Sequence, residues 1–571
     1  MKKGEIISGV VESVAFPNKG IIKTEENTVV VKGALTGQKV TARVTKKRSG
    51  KAEAMLLSVD EKSPLEDGAP FCPHFGICGG CTYQTMSYET QLEFKTAQVR
   101  ELLKNYVTDK FEAPHASPRL TGYRGKMEFS FGNEVKDGPL VLGLHKKNSF
   151  YDIVSVSGCG IIDDGLRDVL NATEAWAKST GLGFYHKMTK TGYFRHLLLR
   201  RGGNTGEILV DLVTRSAAAE FEGGAQTKDA AVIESACEAA CAKTPAEIED
   251  ALMEGFKEAV LAADKTGMIK GILHTVNDSP ADAIIDEGTT LLYGQEYFED
   301  ELLGLGFKIT PFSFFQTNPL GAEVLYSVVR EYVGTTKDKV IFDLYCGTGT
   351  IGQLLAPVAK KVVGIEIIPE AVEAAKLNAE RNGLTNCEFI AGDVLKKLDE
   401  ITDKPDFIVL DPPREGIVPK ALSKILAYGV DNLVYVSCKP TSLARDLEAF
   451  AAAGYEVKRA TCVDMFPWTG HVETVCLLSQ RKPDTTIEVD LDISELEVSS
   501  VETKATYEEI KSYVLKKYGL KVSNHYIAQV KRECGIVERI NYNLPKTEGN
   551  RVPQCPEDKR KAIKDAFIHF Q

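Results

Sequence analysis

No stretch of the 571-residue sequence approaches the roughly 20 consecutive apolar residues that cross a bilayer. A membrane-spanning helix is therefore not expected. The N-terminus, MKKGEIISGVVESV, carries lysines, but Glu5 and Glu12 interrupt any signal-peptide apolar core. A cytoplasmic protein is expected. An excess of positive charge is also missing. The formal net charge is −11, which argues weakly against a nucleic-acid partner. Short internal repeats are absent, and so is an even number of cysteines. The thirteen cysteines do not suit a disulfide framework in a reducing compartment. Where they cluster, they read as metal ligands or catalytic groups.

What is present has the composition of a globular protein, 43% hydrophobic and 26% charged. The length suggests about three or four domains. In residues 1–60, eleven Lys and Arg face six Asp and Glu, so a locally basic module keeps phosphate contacts open. Short β-branched runs broken by Gly and Asn there predict a small antiparallel barrel of OB type. Such barrels commonly bind oligonucleotides. The basic tip VTKKRSGK reads equally well as a phosphate contact or a solvated loop.

Residues 61–300 form a predicted central α+β domain. It opens on FCPHFGICGGCTYQ, with Cys72, Cys78 and Cys81. A helix is expected over 87–107 with Ser87 as its cap. Strands are expected at YRGKMEFSFG and FRHLLLRRG, and helix over about 215–267. Cys237 and Cys241, four apart, read as one apolar helix face rather than as ligands. From about residue 301 to 482 strands and helices alternate, which predicts an open, mostly parallel Rossmann-like sheet. Residues 483–571 read as an acidic linker followed by a small helical extension. Thr506 and Ser523 are its caps, and a helix-turn-helix is weighed against a plain appendage. Cys534 and Cys555 are too sparse there to make a metal site.

The chemistry gathers at strand ends of that sheet. FDLYCGTGTIG bends at Gly347 and Gly349 after the first strand. Glu366 ends the second, where a carboxylate can accept both ribose hydroxyls. Asp393, ending the third, could hold an adenine amine. No third glycine completes a dinucleotide fingerprint, so the pattern favours S-adenosylmethionine over NAD. LDPPREGI places Asp411 and Arg414 at the next strand end, and YVSCKPTSLARDL places Cys438 at the one after. A thiolate beside a methyl donor suits addition to carbon 6 of uracil, which makes carbon 5 nucleophilic enough to take a methyl group. A base must then remove the carbon-5 proton. GHVETVCLL offers both His471 and Glu473, and the residues alone leave the choice open. Cys438 taken alone reads as a buried small hydrophobe, as free cysteine usually is, and its place after DPPR and in SCKPTS shifts it toward function.

With FFQTNP, DLYCGTGTIG, DPPREGI, VSCKPTSLARDL and GHVETVCLL in this order, residues 1 to about 481 resemble the RNA (uracil-5-)-methyltransferase family, in particular its 23S ribosomal RNA branch. The resemblance implies Cys438 as nucleophile and Glu473 as base. It implies donor contacts from Gln316, Tyr345, Glu366 and Asp411, with Asp393 read from its strand end. Thr350 stands where some relatives carry Asn. It implies that Cys72, Cys78, Cys81 and the distant Cys159 hold a [4Fe–4S] cluster, where spacing alone leaves zinc equally open. The C-x3-C-x2-C spacing of radical enzymes is absent. It also implies a TRAM domain in the N-terminal barrel.

Phe312 and Phe314 are candidates to stack on a flipped base, with core packing as the alternative. Arg124, Lys126, Arg195 and His196 are candidate phosphate contacts. The expected partner is 23S ribosomal RNA, with no membrane, no DNA and a monomeric state. Two alternatives stay open, a transfer-RNA uridine-5-methyltransferase and a non-catalytic RNA-binding iron–sulfur protein. A DNA cytosine methyltransferase fits less well, because its Pro-Cys loop follows the fourth strand.

Overall fold

The computed structural model describes residues 1–25, 27–48, 50–107, 110–221, 244–481, 506–533 and 555–570. They fall into two compact units, Met1–Lys482 and Pro483–Gln571. Cys237, Cys241, Cys534 and the acidic linker lie outside the described residues. Among the described residues, no helix is long and apolar enough to cross a membrane.

Period-2 alternation in KGIIK, TVVVK and KVTARV turns every second side chain inward. The result is a six-stranded sheet in the order Ile6–Val10, Lys39–Arg48, Lys51–Glu61, Thr28–Lys32, Lys19–Lys23, Ser13–Ala15. All pairs are antiparallel except Thr28–Lys32 on Lys51–Glu61. Val29, Val31, Val40 and Val44 fill its core. The two outer strands are consecutive parts of residues 6–15, one pairing with Lys39–Arg48 and the other with Lys19–Lys23; between them the Val11 N–H bonds the Gln38 carbonyl at 2.8 Å and the Glu12 N–H the Ile21 carbonyl at 2.9 Å. The basic tip lies on exposed strand ends.

The central sheet has seven strands, in the order Thr289–Gly294, Ile269–Val276, Ile208–Thr214, Phe194–Arg201, Lys126–Gly132, Val141–His145, Ile153–Ser155. The helices Asp164–Thr180 and Pro245–Ala263 contribute to its apolar core with Leu166, Leu170, Phe256 and Val260. Asp163 and Thr244 cap them, each side chain accepting an N–H of the first turn.

The third sheet runs Cys387–Ala391, Ala359–Glu366, Thr336–Leu344, Phe407–Leu410, Asn432–Ser437, Glu473–Gln480, Tyr455–Val463. Its first five strands are parallel, and Glu473–Gln480 is antiparallel to both neighbours. Runs such as FIVL and NLVYVS are buried on both faces, as a parallel sheet covered by helices requires. Strand order reverses between Thr336–Leu344 and Phe407–Leu410, which leaves a crevice at their carboxyl ends.

One boundary differs from the sequence expectation. The helix Tyr88–Leu103, capped by Ser87, buries Val99 and Leu103 in the core of the third sheet with Leu443 and Leu447. Phe111 and His115 then bridge to Ala460 and Val463 at that sheet's edge. Val99, Leu103, Val107 and Phe111, assigned by sequence to the central domain, pack with the third sheet, while Tyr88 at the helix start packs on the central core. Long-range burial overrides chain order here.

The second unit holds the helices Tyr507–Tyr518, Asn524–Glu533 and Glu557–His569 around Ile510, Val514, Ile527 and Ile563. Thr506 and Glu509 form a reciprocal capping box, and Gly519 closes the first helix at φ 68°. Ser523 accepts the N–H of Tyr526 at 3.3 Å.

Candidate active site

The strand Thr336–Leu344 ends in a turn that only glycine makes cheaply. Gly347 and Gly349 sit at φ 54° and 70°, and Tyr345 at 68°. A Cβ on Gly349 would meet Phe389 at 2.6 Å. One on Gly347 would meet nothing nearer than Phe314 at 3.7 Å, which leaves room beside the backbone for a ligand. Glu366 faces this turn. Its Oε2 accepts the Gly347 N–H at 3.0 Å, and its Oε1 accepts those of Ile367 and Ile368. Thr350 is buried in the first turn of the following helix, with its hydroxyl 3.4 Å from that of Thr348. Asp393 caps the helix Val394–Glu400 by accepting the Leu395 N–H, and its charge acts on Tyr345. Gln316 bonds to Tyr326.

An acidic group fills the crevice. Burial pushes Asp343 up to about 7, helped by Asp411 and Glu366 and opposed by the Gly352 N–H. Asp343 Oδ1 has no hydrogen-bond partner. Burial likewise lifts Asp411 to about 7. Glu473 is buried at the start of its strand and rises to about 8, through burial and then Asp411, with Arg414 opposing. Cys438 is half-buried between the strand Asn432–Ser437 and the helix Pro440–Ala452. Its thiol rises to about 12 through burial, then Glu473, then Asp411, with Arg414 again opposing. His471 falls to about 4 through burial and the cations Arg414, Lys95 and Arg124, and is neutral at pH 7. The structure thus gathers Asp411, Arg414, Cys438 and Glu473. His471 faces the same Arg414 but is not among the charges acting on the thiol. The Ser442 hydroxyl bonds the Arg414 carbonyl at 2.7 Å, tying the DPPREGI loop to the cysteine's own helix.

A family model described as tRNA (uracil-5-)-methyltransferase matches residues 287–481. A protein named as an uncharacterized RNA methyltransferase, from Caldanaerobacter subterraneus subsp. tengcongensis, is 45% identical over 482 residues, covering 84% of this chain and 100% of that relative. The chain belongs to the RNA (uracil-5-)-methyltransferase family. A similarly named Clostridium acetobutylicum protein is 44% identical, covering 84% of this chain and 99% of that one. The solved structure of Pyrococcus abyssi tRNA (uracil-54, C5)-methyltransferase with S-adenosyl-L-homocysteine superposes with a TM-score of 0.60 at 25% identity. It covers 82% of this chain and 99% of that one.

The methyl donor of this RNA methyltransferase is S-adenosylmethionine. The crevice fits it on charge. Buried carboxylates that raise one another, with one oxygen unpartnered, lack positive charge, and the donor brings a sulfonium and an ammonium. Ile367 and Ile368, 63% and 53% exposed beside Glu366, offer an apolar face that the sequence reading missed.

The methyltransferase also depends on residues with no motif signal. Arg200, buried on the central sheet, donates to the carbonyls of Thr310, Pro311 and Ser313 and so holds the loop that carries Phe312, Phe314 and Gln316. Phe312 and Phe314 are 40% and 62% exposed, so neither is core packing. The loop leading to Glu473 is held more tightly. Trp468, at φ 68°, donates its N–H to Gln91 at 2.7 Å, and its carbonyl accepts the N–H groups of Thr82 and Tyr83. Such a backbone costs about 1–3 kcal/mol in a bulky residue and persists only when its surroundings fix it.

Lys95 completes the clamp, bonding Asp464 at 2.9 Å and the Phe466 carbonyl at 3.0 Å, with both ionic side chains fully buried. Removing one partner leaves the other charge uncompensated. Lys95→Met is expected to cost about 3–5 kcal/mol, read as a lowered denaturant midpoint. Lys95→Met with Asp464→Leu should recover much of it.

Two expectations on phosphate contacts are corrected. Arg195 is buried and its guanidinium is spent on the carbonyls of Asn277, Ser279 and Ala281. His196 is buried with Nδ1 3.3 Å from the Ser130 hydroxyl. Strand alternation could not tell which face of FRHLLLRR would be covered. Lys126 pairs with Glu128 at 3.0 Å, and Arg124 remains half-buried near His471.

Cys72, Cys78, Cys81 and Cys159 act electrostatically on one another although Cys159 is distant in sequence. The Gly158 N–H bonds His74 Nε2 at 3.0 Å, and Phe71 packs directly on Gly160. Burial raises Cys78, Cys159 and Cys81, the last to about 12, and each is raised further by at least one of the other thiols. Among the described residues no group of three or more His, Cys, Asp and Glu is drawn into a metal-holding arrangement.

Proposed function

We propose that this methyltransferase modifies carbon 5 of a uridine in 23S ribosomal RNA, with Cys438 as nucleophile and Glu473 as base. The observation that carries the reading is the pairing of a half-buried thiol with a buried carboxylate, which is the foremost charge acting on it. S-adenosylmethionine, when bound, supplies the methyl group. The Cys438 thiolate adds to carbon 6, and the electron pair moves onto the ring as an enolate. Carbon 5 then takes the methyl group. Glu473 removes the carbon-5 proton, the carbon–sulfur bond breaks, and uracil and thiolate are restored. Arg414 offsets negative charge on the thiolate. Gln316, Tyr345, Thr350, Glu366, Asp393 and Asp411 line the donor side, and Phe312 and Phe314 stack on the flipped nucleotide.

The ribosomal assignment rests on the N-terminal sheet, read as an OB-like TRAM module, and on Cys72, Cys78, Cys81 and Cys159, read as ligands of a [4Fe–4S] cluster with a structural role. The protein acts in the cytoplasm. Transfer RNA is the second reading, favoured by the tRNA substrate in the name of the Pyrococcus abyssi structure. Anaerobically purified protein incubated with each RNA and labelled S-adenosylmethionine decides between them. Label in 5-methyluridine from ribosomal RNA is the expected result. Label only from transfer RNA would keep the chemistry and overturn the substrate. No label from either RNA, with donor bound, would leave an RNA-binding scaffold.

A further inference from the structure

The three most exposed large apolar side chains among the described residues are Phe150, Met188 and Tyr151, at 85%, 77% and 70%. All three border one pocket of about 650 Å³, open solvent at its mouth included. It lies on the central sheet, away from the methyl-donor turn. The strand Phe194–Arg201 reaches both places. Arg195 and His196 line the pocket, while Arg200, roughly 13 Å further along, holds the loop before Gln316.

The lining combines rings with fixed polar groups. Tyr185 is set by the Arg195 guanidinium, 4.4 Å from its ring centroid. Ser130 and His196 form a hydrogen-bonded pair in the wall. Lys187 and Asp282 pair at 2.7 Å. Both Lys and Arg side chains of the lining are thus engaged already, Lys187 by Asp282 and Arg195 by three carbonyls. A phosphate would find no uncommitted Lys or Arg there. A flat heteroaromatic ring would find faces to stack on and donors and acceptors for its edge.

We propose that this pocket binds an unpaired nucleobase of the RNA substrate, separate from the uridine that is methylated. The inference rests on RNA as the substrate class and adds a second recognition point to the proposed reaction. The pocket wall is pinned to the cysteine-bearing loop. The Gly79 N–H bonds the His145 carbonyl at 3.0 Å, and the Lys147 N–H bonds the Ile77 carbonyl at 2.7 Å. The cysteine-bearing loop therefore buttresses the pocket wall through its backbone.

The test uses the full chain and fluorescein-labelled oligoadenylate, which contains no uridine to react. Phe150→Ala with Tyr151→Ala, both at exposed positions, is expected to weaken oligoadenylate binding about 10- to 100-fold. The KM for the RNA substrate should rise in parallel, with kcat and S-adenosylmethionine affinity unchanged. Phe150→Tyr with Tyr151→Phe, which keeps both rings, should bind like the parent. Ultraviolet cross-links from oligoadenylate should map to peptides covering 146–152 or 184–190. Unchanged oligoadenylate affinity and KM in the alanine variant would overturn the proposal, as would cross-links confined to residues 310–316. A parent protein that methylates neither RNA, yet loses oligoadenylate binding in the variant, would sink the proposed chemistry and leave the pocket standing. Normal methylation with unaffected binding would do the reverse.

Discussion

Cys438→Ala is expected to lower methyl transfer by on the order of 10⁴-fold or more while leaving S-adenosylmethionine binding intact. Without the thiolate, carbon 5 of uracil stays a poor nucleophile, and the donor has nothing to react with. Donor affinity is carried by other groups, so a binding isotherm should barely move. The thiol's environment adds a second expectation. In the donor-free protein the Cys438 thiol is held near 12 by burial, Glu473 and Asp411, so little of it is thiolate at pH 7. A sulfonium entering the acidic crevice opposes those carboxylates and pulls the thiol down. Iodoacetamide labelling of Cys438, followed at the peptide level, should be faster with S-adenosylmethionine than with uncharged S-adenosylhomocysteine. Equal labelling would show that the donor's charge does not activate the thiol, and full activity of the alanine variant would sink the mechanism.

Glu473→Gln should permit addition and methylation but slow carbon-5 deprotonation by about 10²–10⁴-fold. A covalent protein–RNA adduct should accumulate, visible on a denaturing gel, and carry the labelled methyl group. Clean turnover would move the base to another residue, with His471 the first to test. The pH dependence has a definite sign. Glu473 rises to about 8, so its basic form grows as pH increases through that value, and parent turnover should climb between pH 6 and 8.5 and then level off. Stability runs the other way. A folded value above the ordinary glutamate value of about 4.3 means the native protein keeps a proton that the unfolded chain releases. That contribution is complete below about pH 4.3 and is lost progressively as pH rises from there to about 8. Glu473→Gln should therefore flatten the fall in denaturation midpoint between about pH 4 and 8. Asp411 and Asp343, lifted to about 7, add to the same fall and remain in the variant.

Much of this molecule was legible because the signals are local. The alternation of KGIIK and TVVVK, the double-faced apolar runs of FIVL and NLVYVS, the Ser87 cap and the Thr506 capping box each depend on neighbours within a few residues. The glycines at 347 and 349 announced a positive-φ turn, and the strand-end positions of Glu366, Asp411 and Cys438 were legible from the motifs. The helix Tyr88–Leu103 shows where local reading stops. Its pattern predicts a helix but not which sheet buries Val99 and Leu103.

By itself, then, the sequence determined the order of the three sheets, the helical C-terminal unit, the family and the residue types available for catalysis. Only the tertiary structure decided how those residues are charged and held. Lys95 meets Asp464 across 369 positions, Arg195 turns inward to three carbonyls, and Gln91, Thr82 and Tyr83 fix Trp468 ahead of Glu473. The exposed rim of Phe150, Tyr151 and Met188 likewise comes from two separate loops. Burial, and the electrostatics that burial amplifies, belong to the packed chain, and no periodicity in the sequence encodes them.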